Sequence, residues 1–350
     1  MSKEHENRRL SEEELERTIN HINHLKAERE KRLVEFLRRN TPETIENELN
    51  NYIIGQPEMT RAVSDFLFYH ALRQRHPELP IRSILIAGPS GSGKTEVWRV
   101  VQKLYGNIFG VKILDGARLS SEGWAGSYKL ISAIDLQTIN GGILVVDEFD
   151  KLCTPQHNAQ GENVSYKIQA EFLKLMEGEL SQKDRLGNLH RCEKMGFAFL
   201  GAFEKLRQNK HDCEAQIGFS TLNKKKQGLS TRLTDEDYIE FGIMTEIIGR
   251  ISIKCEVQNL SDEDYVQIIS NPHSRVATII NVLSQYGLEV CDAISTEKII
   301  DLISYSKKNS LGVRWVSAQL ENKLLSLIRE CGVAFGENFS EAVDCSEFDI

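Results

Sequence analysis

The apolar positions fall into three regimes along the chain. Over residues 1–40, Leu15, Ile19, Ile22, Leu25, Leu33 and Phe36 recur at helical spacing among charged residues. Ser11 and Glu14 form a capping-box pair, so the pattern predicts a charged helical arm. Lys26 and Arg29 interrupt the stripe and argue against a long coiled coil. Asn40-Thr41-Pro42 ends this helix, and Pro42 suits the first turn of a second one, over about 42–50. Such an arm either packs on its own domain or serves as an adaptor or partner-docking segment.

From Tyr52 the period changes. Ile81–Ala87, Val111–Leu114, Gly142–Val146 and Gly196–Gly201 are short apolar runs that read as strands, with helices at about 94–105 and over Ile168–Met176. Runs that are apolar throughout, rather than alternating, are what a strand covered on both faces requires, and the βα alternation predicts a parallel sheet. After about residue 258 the pattern is helical. Ser261-Asp262-Glu263-Asp264 caps a helix that stops at Asn271-Pro272, further helices fit 273–285, 296–307 and 312–331, and a short strand fits Leu288–Cys291. The division is therefore an arm (1–50), a large α/β domain (51–258), a small helical domain (259–335) and a C-terminal tail (336–350) with no assigned structure.

Composition narrows the function. The chain has 350 residues, enough for about two domains. Its net charge of −8 leaves no overall basic footprint and argues against nucleic acid as a partner. The Lys224-Lys225-Lys226 run reads as a solvated loop. No apolar run approaches the ~18 residues of a membrane span. The first 40 residues carry 10 Lys/Arg and 9 Asp/Glu, unlike a secretory leader. Seven cysteines at 153, 192, 213, 255, 291, 331 and 345 form no C-x-x-C pair, so they read as idle thiols of a reducing cytoplasm. His21 and His24 share a helix face, but two ligands do not make a metal site.

The chemistry is concentrated in Gly88-Pro89-Ser90-Gly91-Ser92-Gly93-Lys94-Thr95, which fits G-x-x-x-x-G-K-[ST] and lies between a predicted strand and a predicted helix. Glycines let backbone N–H groups close around phosphate oxygens, and the following helix, opening at Lys94-Thr95-Glu96, adds its N-terminal dipole. Lys94 supplies a charge for the β- and γ-phosphates, and Thr95 is a hydroxyl ligand for Mg²⁺. Farther along, the apolar strand Ile143–Val146 delivers Asp147 and Glu148. Asp147 suits a water-mediated Mg²⁺ contact, and Glu148 suits the base that activates a water. Together these motifs predict ATP hydrolysis with Mg²⁺ as cofactor.

In order, Asn51-Tyr52-Ile53-Ile54-Gly55-Gln56, the phosphate loop, V-V-D-E-F-D-K-L, Ile248-Gly249-Arg250 and Gly312-Val313-Arg314 resemble the AAA+ ATPases of the Clp/HslU unfoldase family, and most closely its ClpX-like branch. The resemblance covers about residues 51–335. It implies a parallel phosphate-loop sheet with helices on both faces plus a smaller helical lid. It also implies that Ile53 and Ile54 line the adenine pocket. Arg250 falls at the arginine finger that completes a neighbour's site, which requires a homo-oligomeric ring, usually a hexamer. Arg314 falls at the position that couples nucleotide state to the angle between domains. Gly123-Trp124-Ala125-Gly126 occupies the place of the aromatic pore loop that grips a protein substrate. Ile217-Gly218-Phe219 resembles the loop that docks on a ClpP-type peptidase.

The chain departs from the family pattern in two places. The charged arm stands where ClpX-like proteins carry a zinc-binding domain. The basic pore-entrance loop is matched only loosely by Lys183, Arg185, His190 and Arg191. Gly201-Ala202-Phe203 offers no Asn or Thr as a polar sensor after the fourth strand, but ClpX-like proteins also carry small residues there, so this does not argue against activity. The resulting expectation is an unfoldase that threads polypeptide through a ring. The alternatives are a remodelling ATPase without a peptidase, a DNA-associated loader, which the net charge and Trp124 loop oppose, and a nucleotide switch, which the intact Asp147-Glu148 pair opposes.

Overall fold

The computed structural model describes residues 12–121, 130, 133–157, 161, 163–183, 189–208, 232–285, 288–289, 296–309, 311–330 and 343–344. Its centre is a five-stranded sheet of β1 (Ser83–Ala87), β2 (Val111–Asp115), β3 (Ile143–Asp147), β6 (Gly196–Gly201) and β7 (Ile253–Glu256), in the order β2-β3-β6-β1-β7. Every pairing is parallel. β4 (Ser181–Lys183) and β5 (Leu189–Arg191) form a separate antiparallel hairpin. The expected strands are present, and the fold is the predicted AAA+ type of parallel α/β module with a helical part.

Alternation along each strand splits its side chains between two faces. Leu85, Leu144, Val146, Phe197 and Phe199 enter one apolar core, together with helix Val164–Met176. Ile84, Ile86, Ile143, Val145, Ala198 and Leu200 enter the other, with helices Pro57–Arg75 and Lys94–Tyr105. Both faces of the sheet are covered by apolar cores, which explains why these strands read as continuous apolar runs.

Two elements of the sheet layer escape the sequence pattern. The helix Pro57–Arg75 buries Met59, Val63, Phe66, Leu67 and His70 on one face. The edge strand β7 alternates Ile253 and Cys255 with Lys254 and Glu256, so it lacks the apolar run that marks the inner strands.

Of the two readings open for the arm, the structure shows packing on its own domain. Its first helix runs Glu12–Arg39 and its second Pro42–Asn50, with Thr41 and Thr44 forming a reciprocal cap. Ser11 lies outside the described residues. Leu33, Phe36, Ile45 and Leu49 are all part of the second core, and Phe36 sits edge-on to Tyr105 and Phe109 at 5.5 and 5.4 Å. Arg29 donates to the carbonyls of Asn140 and Gly141. The end of the first helix and all of the second are thus structural parts of the large domain. Truncating a buried Phe such as Phe36 costs about 3–5 kcal/mol.

The small domain has its own core, with Tyr265, Ile269, Val276, Leu283, Ile303, Val316, Leu320 and Leu324 from helices Asp262–Ser270, Arg275–Gln285, Thr296–Lys308 and Gly312–Glu330. Residues 288–289 pair in parallel with 343–344, so part of the tail past 335 joins this domain. Cys153, Cys192 and Cys255 are free and buried. Burial pushes their thiols up, Cys192 to about 11 and Cys255 to about 12, which leaves them inert.

Candidate functional site

The phosphate loop, residues 88–93, leaves the end of β1 and runs into the helix that begins at Lys94. Gly91 and Gly93 have φ of +78° and +91°, a left-handed backbone that glycine adopts without strain. Val257 supports the start of the loop. Its N–H donates to Ala87 O at 2.7 Å, and a Cβ on Gly88 would come within 2.7 Å of its side chain. The loop therefore lies against the chain that leads from β7 into the small domain.

Lys94 is almost fully buried, and its Nζ donates to Gly88 O and Pro89 O, both at 2.7 Å. The ammonium is thus held across the mouth of the loop by main-chain carbonyls. Burial pushes its pKa down to about 8, against the pull of Asp147 and Asp150. One residue on, Thr95 Oγ1 donates to Asp147 Oδ2 at 2.7 Å. The other oxygen, Asp147 Oδ1, accepts from the N–H of Glu148 at 3.0 Å. The two motifs, far apart in sequence, therefore meet. A hydroxyl and a carboxylate side by side form the hard oxygen donor set that Mg²⁺ takes alongside phosphates and water. Among the described residues no group of three or more His, Cys, Asp or Glu could hold a metal by itself.

Glu148 is exposed and has φ +53°, so the backbone turns into the left-handed region directly after β3 ends. Glu96 is exposed and pairs with Arg99 at 3.0 Å. Ser92 is buried, and its hydroxyl donates to Pro89 O at 2.8 Å, which closes the loop; Ser90 is exposed at the tip.

The Ile53-Ile54 segment lies where the two domains meet. Ile53 is buried and Ile54 half-buried. Around them, Tyr52 stacks on His273 at 4.3 Å, Asn271 Nδ2 donates to Asn51 O and Gln56 Nε2 donates to Gln258 O, both at 2.9 Å. A Cβ on Gly55 would strike the Asp264 carboxylate. Arg314 is exposed in the first turn of the last helix, two residues after Gly312, which touches the tip of the phosphate loop.

Arg250 follows the short helix Thr245–Ile248, whose Ile247 and Ile248 are anchored in the first core. The side chain is exposed and tied within its own chain, paired to the Glu177 carboxylate and donating to Glu246 O at 2.9 Å. Gly123, Trp124, Ala125 and Gly126, like Ile217, Gly218 and Phe219, lie outside the described residues.

Three residues near the site carry no role in the sequence reading. Asp150 is buried and adds its charge to that of Asp147 beside Lys94; its place three residues after Asp147 was the available signal. Glu204 and Arg207 also act on Lys94, from the segment after β6, and no motif marks them.

Comparison with known proteins defines the class. Residues 84–205 match the family described as "ATPase family associated with various cellular activities (AAA)", a span that runs from β1 through β6 and contains the phosphate loop, Asp147 and Glu148. The chain also aligns with proteins named "ATP-dependent Clp protease ATP-binding subunit ClpX". It is 27% identical to that of Borrelia duttonii over 335 residues, covering 83% of this chain and 74% of the relative. To the Treponema denticola protein it is 28% identical over 270 residues (67% and 64%), and to the Wolinella succinogenes "ClpX 2" 26% identical over 339 residues (89% and 83%). Residues 84–205 thus carry an AAA ATPase domain, the chain is similar to ClpX proteins over most of its length, and it hydrolyses ATP.

Proposed function

We infer that this ATPase unfolds or remodels proteins, in the cytoplasm, by drawing polypeptide through a homo-oligomeric ring, with a ClpP-type peptidase as a candidate recipient. The observation that carries the reading is the contact of the phosphate loop with the small domain at Gly91 and Gly312. Whatever fills the loop acts directly on the helix that carries Arg314, so nucleotide turnover has a route to the angle between domains.

Each side chain has a role in this mechanism. The loop backbone and Lys94 bind the β- and γ-phosphates, while Ile53 and Ile54 take the base. Thr95 and Asp147 would hold Mg²⁺, which supplies charge neutralisation at the phosphate oxygens when bound. Glu148 takes a proton from the attacking water. Arg250 of one subunit stabilises the developing charge in the next, and Arg314 reports nucleotide state to the lid. Trp124, between Gly123 and Gly126, grips the substrate chain, and Ile217-Gly218-Phe219 docks the peptidase.

The test uses Glu148→Gln. Turnover is lost and ATP binding kept, and the ATP-loaded protein retains an unfolded protein substrate and a ClpP-type peptidase. Phe219→Ala in the same background releases the peptidase alone. Undiminished turnover removes Glu148 from its role. A well-formed ring that turns over ATP but never unfolds a protein substrate defeats the reading. Unfolding without any peptidase contact leaves a stand-alone remodeller.

A further inference from the structure

We propose that Glu177 is an acceptor in cis that competes with a neighbouring subunit's γ-phosphate for the Arg250 guanidinium, and so sets the ATP level at which the assembly turns over. The proposal rests on Arg250 completing a neighbour's site, and it adds the group that holds this side chain until ATP arrives there.

Two helix ends build the pair. Glu177 follows directly on the helix Val164–Met176, and its N–H still donates to Leu173 O at 3.0 Å. Gly178, at φ +72°, then turns the chain, and the N–H groups of Gly178 and Glu179 close back on Leu175 O and Lys174 O, both at 3.0 Å. Leu175 and Met176 are buried in the first core, so the base of the Glu177 side chain is fixed. Arg250 follows the short helix Thr245–Ile248, which is rooted in the same core. One terminal nitrogen of its guanidinium donates to Glu246 O at 2.9 Å, and the other pairs with Glu177 Oε1.

Electrostatics explain why the arginine rests there. A carboxylate at a helix C-terminus is disfavoured, because the carbonyl ends carry partial negative charge. Glu177 stands at such an end, and the guanidinium offsets it. The cation is thus parked between a carboxylate and a main-chain carbonyl, with both terminal nitrogens engaged. A bidentate grip on two phosphate oxygens draws on such paired N–H donors, so phosphate and Glu177 compete for one group. The hold is weak enough to lose: the side chains of Arg250 and Glu177 are 40% and 29% exposed, so water screens the pair. A neighbour's site filled with ATP takes the guanidinium. A site holding ADP offers no γ-phosphate and leaves it on Glu177. Arg250 then links subunits only across an ATP-filled site.

The experiment measures steady-state turnover against ATP concentration, and binding of fluorescent ATP and ADP analogues. It compares the wild type with Glu177→Gln, Arg250→Ala and the double variant, all as the full chain. Glu177→Gln removes the charge and keeps the shape. It lowers the half-saturating ATP concentration about two- to fivefold, the range set by an exposed ion pair, and keeps kcat and ADP affinity within about twofold. Structural damage would shift the half-saturating concentration the other way. In the Arg250→Ala background the same change leaves ATP affinity as it was. An unchanged or raised half-saturating concentration in Glu177→Gln, or tightening that persists without Arg250, overturns the proposal. Glu177→Ala is read in the same way if the glutamine variant fails to fold. Wild-type turnover in Arg250→Ala defeats the finger reading itself and this proposal with it. Turnover lost in Arg250→Ala, with Glu177→Gln behaving as wild type, overturns the competition with Glu177 alone.

Discussion

Gly91 and Gly312 meet backbone to backbone: a Cβ on Gly91 would stand 3.2 Å from Gly312 Cα, and one on Gly312 would stand 3.3 Å from Gly91 Cα. Both residues are left-handed, at φ +78° and +74°, so neither position suits a side chain for two separate reasons. The pair closes the phosphate loop against the lid, and Arg314 follows within the same helical turn.

Gly312→Ala is accordingly expected to act on both stability and coupling. The left-handed backbone alone makes the alanine cost about 1–2 kcal/mol. The added methyl also forces the lid helix off the loop tip. Calorimetric melting of the full chain should show a lowered transition for the small domain, and ATP affinity should fall while the protein stays folded. An alanine variant with wild-type melting and wild-type ATP affinity would falsify the claim that this contact links loop and lid.

Much of the site was legible because its signals are local. The phosphate loop carries its own spacing, and the apolar run before Asp147 marks a covered strand whose end must lie near it. The Thr95–Asp147 hydrogen bond follows from those two facts and the parallel sheet. The Gly91–Gly312 contact was not legible, because it depends on how two domains pack. The place of Arg207 was not legible either, since it follows a turn at Phe203 that is set by Tyr238 and Phe241, distant in sequence. The arm shows the same limit from the other side. Its apolar stripe includes Phe36 but does not say what covers it, which is decided by Tyr105 and Phe109, distant in sequence, whose rings meet Phe36 edge-on. Lys254 and Glu256 hid an edge strand for the converse reason, as only one side of it is paired in the sheet.

Arg250 yields a prediction about which subunit it serves. Within its own chain it is held by Glu177 and by Glu246 O. The ion pair is exposed and worth only about 0–1 kcal/mol, so a neighbour's phosphate can outcompete it. Arg250→Ala should lower kcat by about a thousandfold or more, as loss of an arginine finger does. Mixing Arg250→Ala chains with Glu148→Gln chains should then restore turnover. In a mixed assembly an intact Glu148 on the first chain can face an intact Arg250 on the second. Mixtures no more active than their components would place Arg250 in its own subunit's site or outside the chemistry.

His70 sets a pH dependence of stability that is independent of the nucleotide site. It is buried in the helix Pro57–Arg75, and its Nε2–H donates to Gly141 O at 3.0 Å. Burial pushes its pKa down from 6.5 to about 4, and the guanidiniums of Arg73 on the same helix and Arg29 on the first helix add to that, against the pull of the Gly141 carbonyl. The folded state therefore keeps the ring neutral over a range in which the unfolded chain protonates it. Between about pH 6.5 and 4 the unfolded state binds more protons, so stability rises with pH. The contribution is fully present above about pH 6.5 and is lost as pH falls towards 4, for about 3 kcal/mol in all. Urea unfolding at a series of pH values should show this slope in the wild type. In His70→Phe, whose ring would sit among Phe66 and Phe109, the absolute stability shifts because the bond to Gly141 is gone, but the slope between about pH 6.5 and 4 should flatten by the same ~3 kcal/mol. Equal slopes in the two proteins would mean that another group carries the proton uptake and that His70 is accessible to protons in the folded state.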